Sequence, residues 1–570
     1  MQKNSSGYYN TGAGYRSLTS NTTGYSNTAG GYGSLFSNTE GDKNTAFGAE
    51  ALYLNITGID NTAIGYGTLY NDTTGSYNTA VGYASQFKTV GNMNTSLGYR
   101  SLYNNTTGYA NVAVGARALF NNTSRQNLVA VGDSALFNNG LGDISYYDAA
   151  FNTAVGSKAL FTNTEGAGNT ATGYTALYSN TTSYFNTGTG FESLRNNTTG
   201  QNNSAFGAAS LRSNQSGSGN TAQGYGALFS NTTGYANVAL GSMALYHNTS
   251  RQYLVAVGDS ALFNNGQGSI DYLDACFNTA LGSKALYTNS EGAGNTAIGY
   301  NALYFNTTSY FNTATGYESL RNNSTGENNS AFGTVSLRSN QSGSGNTANG
   351  YMALYNNTTG NGNTAVGSYA GQNYSNVSNA TYVGSYAGSQ VNSVSNVTAL
   401  GYQAANTASN QVRIGNSSVT SIGGYEPWTD LSDASFKTEI REEVQGLNFI
   451  LKLRPVTYHL DVNKLAASLG EDTEVTRDGI KRARTPDPEE LEARAKKGAV
   501  VYTGLIAQEV EAAAKSVGYD FSGVDAPDNE NDPYGLRYST FVMPLIKAVQ
   551  ELSAEVEELK KEVKKLKMEN

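Results

Sequence analysis

Residues 44–82 read NTAFGAEALYLNITGID NTAIGYGTLYNDTTGSY NTAVG, so the same opening returns at Asn44, Asn61 and Asn78 with a period of 17. Traced in both directions, the glycine that closes each NTAxG falls at 24 positions from Gly14 to Gly415. Two steps are 24 residues long, their seven extra residues lying in or near GLGDISYYDAAF and GQGSIDYLDACF. A larger duplication joins them: Asn111 in NVAVG matches Asn237 in NVALG, 126 residues on. A fixed period of this size means a solenoid, because one unit cannot bury its own apolar face and stacked neighbours can.

The unit reads N-T-A-(V/I/L/F)-G-Y-x-(A/S)-L-(Y/F)-x-N-T-T-G-x-x, which is too rich in Gly and Asn for a helical repeat. NTAVG and ALY read as short strands, and NTTG reads as the corner, its Asn and Gly taking the positive φ that tight turns need. The Ala, the aliphatic residue after it and the Leu of ALY are expected to stack as apolar ladders. Superposed asparagines are expected to hydrogen-bond as ladders of their own. The absence of proline before Pro427 fits strands that donate their N–H groups to the neighbouring coil. At about 4.8 Å per coil, 24 coils give a rod of roughly 115 Å.

The rest of the chain is a different polymer. All seven prolines and 47 of the 79 charged residues lie from Pro427 onward, which sets a boundary at residues 425–431. We read residues 1–424 as the shaft, 425–431 as a linker, 432–541 as a small α/β domain and 542–570 as a coiled coil. GLNFILKLRPVTYHLD (446–461) opens with apolar periodicity and turns to strand-like alternation after Pro455. Residues 463–498, heavily charged with two prolines, read as a solvated insertion, and 500–518 as a strand leading into a helix. Val542, Leu545, Val549, Leu552, Val556, Leu559, Val563 and Leu566 form an unbroken heptad seam.

Composition excludes several functions. A net charge of −9 without a basic stripe argues against a nucleic-acid partner and leaves a neutral or sugar-like surface as the expected one. The start, MQKNSSGYYNTGAG, has no apolar signal region, and no run of about 18 apolar residues occurs, so membrane insertion is not expected. The one cysteine, Cys276, reads as a small buried apolar side chain. No metal or cofactor signature is evident. The NxT and NxS triplets at Asn21, Asn71, Asn105, Asn180 and Asn231 follow from the repeat and are read as turns rather than glycan acceptors. The Tyr and Phe after each Leu form a stripe, read as a stacking ladder with carbohydrate stacking as the functional alternative. His247 and His459 are read as structural.

Two resemblances add to this reading. The NTAxGY…ALY tract, over roughly residues 8–418, resembles the head repeats of trimeric autotransporter adhesins, which implies a mainly β fold: a parallel β-roll in which three chains share one core. Similar tracts are known on phage tail fibres. The C-terminal segment resembles the S74 peptidase family, the intramolecular chaperones of phage tail spikes and endosialidases, through LSDASFKTEI (431–440), GLNFILKLRPVTYHLD, YTGLIAQEV and YSTFVMPLIKAVQEL, in the family's order. The resemblance implies a domain that trimerises, assists folding of the fibre ahead of it and cuts itself off.

The S-D-x-x-x-K pattern of that family falls on Ser432, Asp433 and Lys437. A serine and a lysine five apart mean nothing alone; the family register implies Ser432 as nucleophile and Lys437 as base, with the cut at the Leu431, Ser432, Asp433 border. A lysine acts as a base only when burial or a neighbouring cation lowers its pKa from about 10.4. Asp433 is a doubtful accessory, since a carboxylate beside Lys437 would oppose that.

The function expected is a homotrimeric virion tail fibre that binds a host-surface glycan or protein, with another virion protein as a possible partner at its N-terminal end. The alternatives are a cell-surface or secreted adhesin with the same chaperone and, from a different class, a polysaccharide depolymerase. The latter wants paired carboxylates, for which Asp143, Asp148, Asp271 and Asp274 in the two insertions are the candidates. With Tyr146, Tyr147 and Tyr272 they are read first as structural loops and second as receptor contacts.

Overall fold

The computed structural model describes residues 3–142, 145, 147–267, 271, 273–425, 428–475, 481–529 and 532–569. The chain divides into two compact units, one of Met1–Val335 with Asn340–Ser342, the other of Ser336–Ser339 with Gly343–Asn570.

The first unit is a parallel β-solenoid. Nineteen three-residue strands run from Thr11–Ala13 to Ser330–Phe332. Each lies on the next in register, as Thr45, Ala46 and Phe47 do on Thr62, Ala63 and Ile64. The second unit continues the pattern with Thr347–Asn349, Thr364–Val366, Ser378–Val383, Ser395–Leu400 and Val412–Ile414. Among the described residues these strands make one sheet of 24, one for each closing glycine, and Gly388–Ser389 pairs with Ala405–Asn406 in a small second sheet.

The core is narrower than the sequence reading expects. The strand alanines and the ALY leucines are fully buried, among them Leu35, Ala46, Leu52, Ala63 and Leu69. The aliphatic residue after each Ala is not with them: Phe47 is 48% exposed and Ile64 42%. A three-residue strand alternates, so when Ala faces inward its neighbour must face outward. ALY is also not a strand; it forms the turns between coils.

Nor does the positive φ fall on the Asn and Gly of NTTG. It falls on the closing glycine, on the core leucine and on two variable positions. Gly48 has φ 133°, and a Cβ there would lie 2.4 Å from the carbonyl oxygen of Gly65. Leu52 has φ 50°, an uncommon conformation for a leucine, offset by the complete burial of its side chain.

The asparagine ladders form as expected, in two buried columns. In one, Asn61 donates its backbone N–H to the Asn44 side-chain oxygen at 3.0 Å. In the other, Asn55 Nδ2 donates to Asn38 Oδ1 at 2.6 Å and to the Gly58 carbonyl. An unpaired amide at these depths would cost about 1–3 kcal/mol, so the same residue recurs coil after coil. The triplet asparagines Asn21, Asn105, Asn180 and Asn231 belong to this second column and are fully buried. Beside it, Phe36, Tyr53, Tyr70, Phe87, Tyr103 and Phe120 stack face to face with neighbouring centroids 4.9–5.4 Å apart.

The stack continues in register across both long units. Val129–Val131 pairs in register with Thr153–Val155, and Asn163 Nδ2 reaches Asn139 Oδ1 across 24 residues at 2.8 Å.

After the last coil the described residues form the α-helices α1 (Leu447–Ile450), α2 (Val462–Ser468), α3 (Pro488–Gly498), α4 (Ala507–Ser516) and α5 (Val542–Glu569). An antiparallel pair, Val456–Tyr458 with Tyr502–Gly504, joins them. Phe449, Val510, Ala513, Ala514, Phe521 and Phe541 make the core of this region. Within the charged stretch 463–498 the described residues form secondary structure, and Glu471, Glu490 and Arg494 are buried although most of the others are exposed. The Asp487-Pro488 start caps α3, with Glu489 and Glu490 in the first turn and Lys496 and Lys497 in the last, as the helix dipole favours. α5 carries the heptad seam, and Leu545, Val549, Leu552, Val556 and Leu559 all remain substantially exposed in the single chain.

Candidate functional site

Ser432 and Lys437 meet. Lys437 Nζ lies 2.6 Å from Ser432 Oγ and donates to it. What brings them together is a single 3₁₀ turn, Ala434–Phe436, closed by the Lys437 N–H on the Ala434 carbonyl. Asp433 caps that turn, its Oδ1 accepting from the Ser435 amide at 2.8 Å and the Ser435 hydroxyl at 2.7 Å. These bonds hold the Asp433 carboxyl below the usual carboxylate range. The carboxylate's Oδ1 is thus engaged with the turn. Its work is to shape the segment that carries Lys437 back onto Ser432.

The segment around the pair is bare. Trp428, Leu431, Phe436 and Ile440 are all exposed in the single chain, as are Ser432 and Lys437. Four large apolar side chains are thus exposed within thirteen residues, an uncommon concentration for a free surface.

Sequence reasoning missed a second polar centre in the same unit. Arg494, almost fully buried, pairs with Glu490 at 2.6 Å, Asp472 at 2.8 Å and Glu471 at 3.5 Å. Glu471 also accepts from the Ser417 amide at 2.8 Å and the Ser417 hydroxyl at 2.6 Å. Lys497 Nζ donates to the carbonyls of Ser417 and Val419 at 2.5 and 2.7 Å, and burial lowers its pKa. Farther along, Asp532 accepts from Thr407 and Gln411 and lies 3.7 Å from Arg413. The charge run of 463–498 therefore grips the end of the shaft just before the linker. Residues this far apart in sequence leave no local pattern to read.

In the insertions, Asp143, Tyr146 and Tyr272 lie outside the described residues. Asp148 accepts from the Ser145 amide and, at 3.1 Å, from the Tyr184 hydroxyl. Asp274 accepts likewise from Tyr310 at 2.9 Å. Asp271 accepts from the Leu273 amide, and Tyr147 is exposed, its ring stacked near Phe151. Asp148 and Asp274 thus sit in separate insertions, each bound to a tyrosine. His247 packs edge-on against Tyr246 and Phe263, and His459 Nδ1 lies 3.1 Å from the Gly498 carbonyl. Cys276 is buried.

Among the described residues, no helix is long and apolar enough to cross a membrane. Residues 432–519 match the Peptidase_S74 family, described as the chaperone of endosialidase. The match begins at Ser432 itself. No curated protein matches the chain.

Proposed function

We propose that this chain is a homotrimeric attachment fibre of a phage virion, whose C-terminal S74 domain assembles three shafts and then frees itself by one Ser432–Lys437 cut. The observation that carries this is the 2.6 Å approach of Lys437 Nζ to Ser432 Oγ at the first residue of the matched domain.

In the reaction, neutral Lys437 takes the Ser432 hydroxyl proton while Oγ adds to the flanking carbonyl carbon. The amide C–N bond breaks, its nitrogen taking a proton from the Lys437 ammonium, and water hydrolyses the ester that remains. A lysine is neutral near pH 7 only when desolvated. Both side chains are exposed in one chain, so the competent site forms when neighbouring copies cover Trp428, Leu431, Phe436 and Ile440. Cutting then follows assembly.

Two further surfaces support a trimer. The outward column after each strand Ala, with Phe47, Ile64, Leu97, Ile298 and Phe332, runs along the shaft, and the α5 seam is open. Both repeat with the chain's own periods, so a further copy of the same chain fits them best. The host receptor binds along the shaft, and another virion protein holds its N-terminal end.

The test is a denaturing gel. The unaltered 570-residue chain is expected as fragments of about 431 and 139 residues. Ser432→Ala and Lys437→Ala each leave one full-length band, and Asp433→Ala slows the cut by loosening the turn. Two bands from Ser432→Ala would exclude the serine mechanism.

A further inference from the structure

One variable column of the repeat, the residue before each NTAxG asparagine, has positive φ throughout the shaft. Gly and Asn accept that conformation at least cost, and many coils use them: Asn127, Gly168, Asn202, Gly219, Gly294 and Asn328. Elsewhere the column takes bulky residues, among them Tyr9, Tyr77 and Met93, and near the insertions it takes phenylalanine: Phe151 (φ 60°), Phe185 (φ 57°), Phe277 (φ 59°) and Phe311 (φ 57°). A bulky side chain in the left-handed region is strained. For the core leucines, burial offsets that strain. For these rings it does not, since Phe185 is 66% exposed and Phe311 65%.

A similar constellation occurs twice, offset by 126 residues, except that Phe277 also stacks on Tyr253 at 5.4 Å where the first site has Asn127. Phe151 and Phe185 flank Gly168, and Phe277 and Phe311 flank Gly294. Each second ring lies across its glycine, where a Cβ would come within 2.9 Å of Phe185 and 2.8 Å of Phe311. Each insertion is pinned alongside: the Ala149 amide donates to the Glu165 carbonyl and the Ala275 amide to that of Glu291, both at 2.6 Å. Asp148 and Asp274 hold the tyrosines, Tyr184 and Tyr310, that precede the second rings. Tyr9 and Tyr77 share the strain and the exposure, so what sets the phenylalanine rings apart is their duplication beside the two insertions.

We propose that these two platforms are saccharide-binding sites. The apolar C–H face of a pyranose ring stacks on Phe151 and Phe185, or on Phe277 and Phe311. Its hydroxyls donate to carboxylate oxygens of Asp148 and Glu165, or of Asp274 and Glu291. Flat apolar rings beside acceptor oxygens suit a neutral sugar, whereas an anionic one would meet the carboxylates. The two sites lie seven coils apart, roughly 35 Å along the solenoid, so a polymeric glycan engages both and gains from multivalency. This rests on the reading of the shaft as an attachment fibre and names its ligand class and its residues.

The experiment compares the processed fibre with a Phe185→Gly, Phe311→Gly double variant by saturation-transfer NMR. The probes are maltose, cellobiose, lactose and N,N′-diacetylchitobiose. Saturation transfer to the ring C–H protons of at least one probe is expected, falling by about tenfold or more in the variant, while its melting temperature holds or rises. No transfer from any probe, or transfer undiminished in the variant, would overturn the proposal. So would a variant with a lower melting temperature or an altered oligomeric mass, which would make the rings structural or part of an interface between copies. Cleavage of both proteins into the same two fragments tests the fibre reading separately.

Discussion

Asp72 stands in the second asparagine column, where its neighbours Asn21, Asn38 and Asn55 each present an amide to the coil before. A carboxylate has no N–H to give, so the ladder breaks and Asn55 Oδ1 is left buried without a partner. Asp72 itself accepts from the Gly75 amide and from Asn78 Nδ2. Burial pushes its pKa up to about 7, against which those two bonds work only partly. The folded state therefore holds a proton that the unfolded chain has lost above pH 4. Stability from this group is full below the unfolded pKa near 3.8 and is lost as pH rises through about 7. Asp72→Asn restores the amide and removes the titration. It is expected to match the parent near pH 4 and to exceed it by roughly 1–3 kcal/mol above pH 8, read by denaturant unfolding of the shaft. A difference independent of pH would mean that the carboxyl is ionised throughout. At this scale the sequence reading was strong for columns and weak for conformations. Repetition marks asparagine as a ladder residue, but nothing in a leucine says that its backbone is left-handed. The capping role of Asp433 was likewise hidden, because the same side chain reads equally well as a charge beside the lysine.

α5 illustrates what an element can carry alone. Its leucines and valines are spaced for a seam, yet in one chain they lie open to water. Leu552→Asp with Leu559→Asp puts charges into that seam, and the expected result is a monomer by size-exclusion chromatography that no longer cuts itself. Efficient cutting by such a monomer would place the complete site within one chain. The grip of the charged stretch offers a second element-scale prediction. Glu471→Ala leaves Arg494 buried with less compensation and strips Ser417 of its acceptor, so the C-terminal region is expected to lose about 3–5 kcal/mol of stability. A conservative Glu471→Gln, which keeps the shape, should lose less. α4, α5 and the Val456–Tyr458 strand were legible from periodicity and proline placement, whereas α2 and α3 lie in the stretch read as a solvated insertion. The packing of 463–498 was not legible, because a charge run looks the same whether its partners are water or residues 50 to 80 positions away. The outward aliphatic column was legible in principle, since strict alternation in NTAV sends Ala and Val to opposite faces.

Over the whole molecule, regularity is both the source of stability and the hazard. Coils that are nearly identical let two chains pair with a slip of 17 residues at little local cost, and non-local β assembly is slow. In the proposed account, a C-terminal domain that associates first would fix a common register, and one cut afterwards would make the result irreversible. The shaft's 24 coils were countable from glycines alone, because a solenoid writes its geometry as a period. The number of chains was not countable, since a period constrains one chain at a time. Native mass spectrometry of the freshly purified protein is the most direct measurement. The account predicts that Lys437→Ala appears as a single species at three times 60.1 kDa, and that the unaltered protein shows three copies of the long fragment held together after the cut. A monomeric or dimeric long fragment, or an uncut chain at the trimer mass in the unaltered protein, would contradict it.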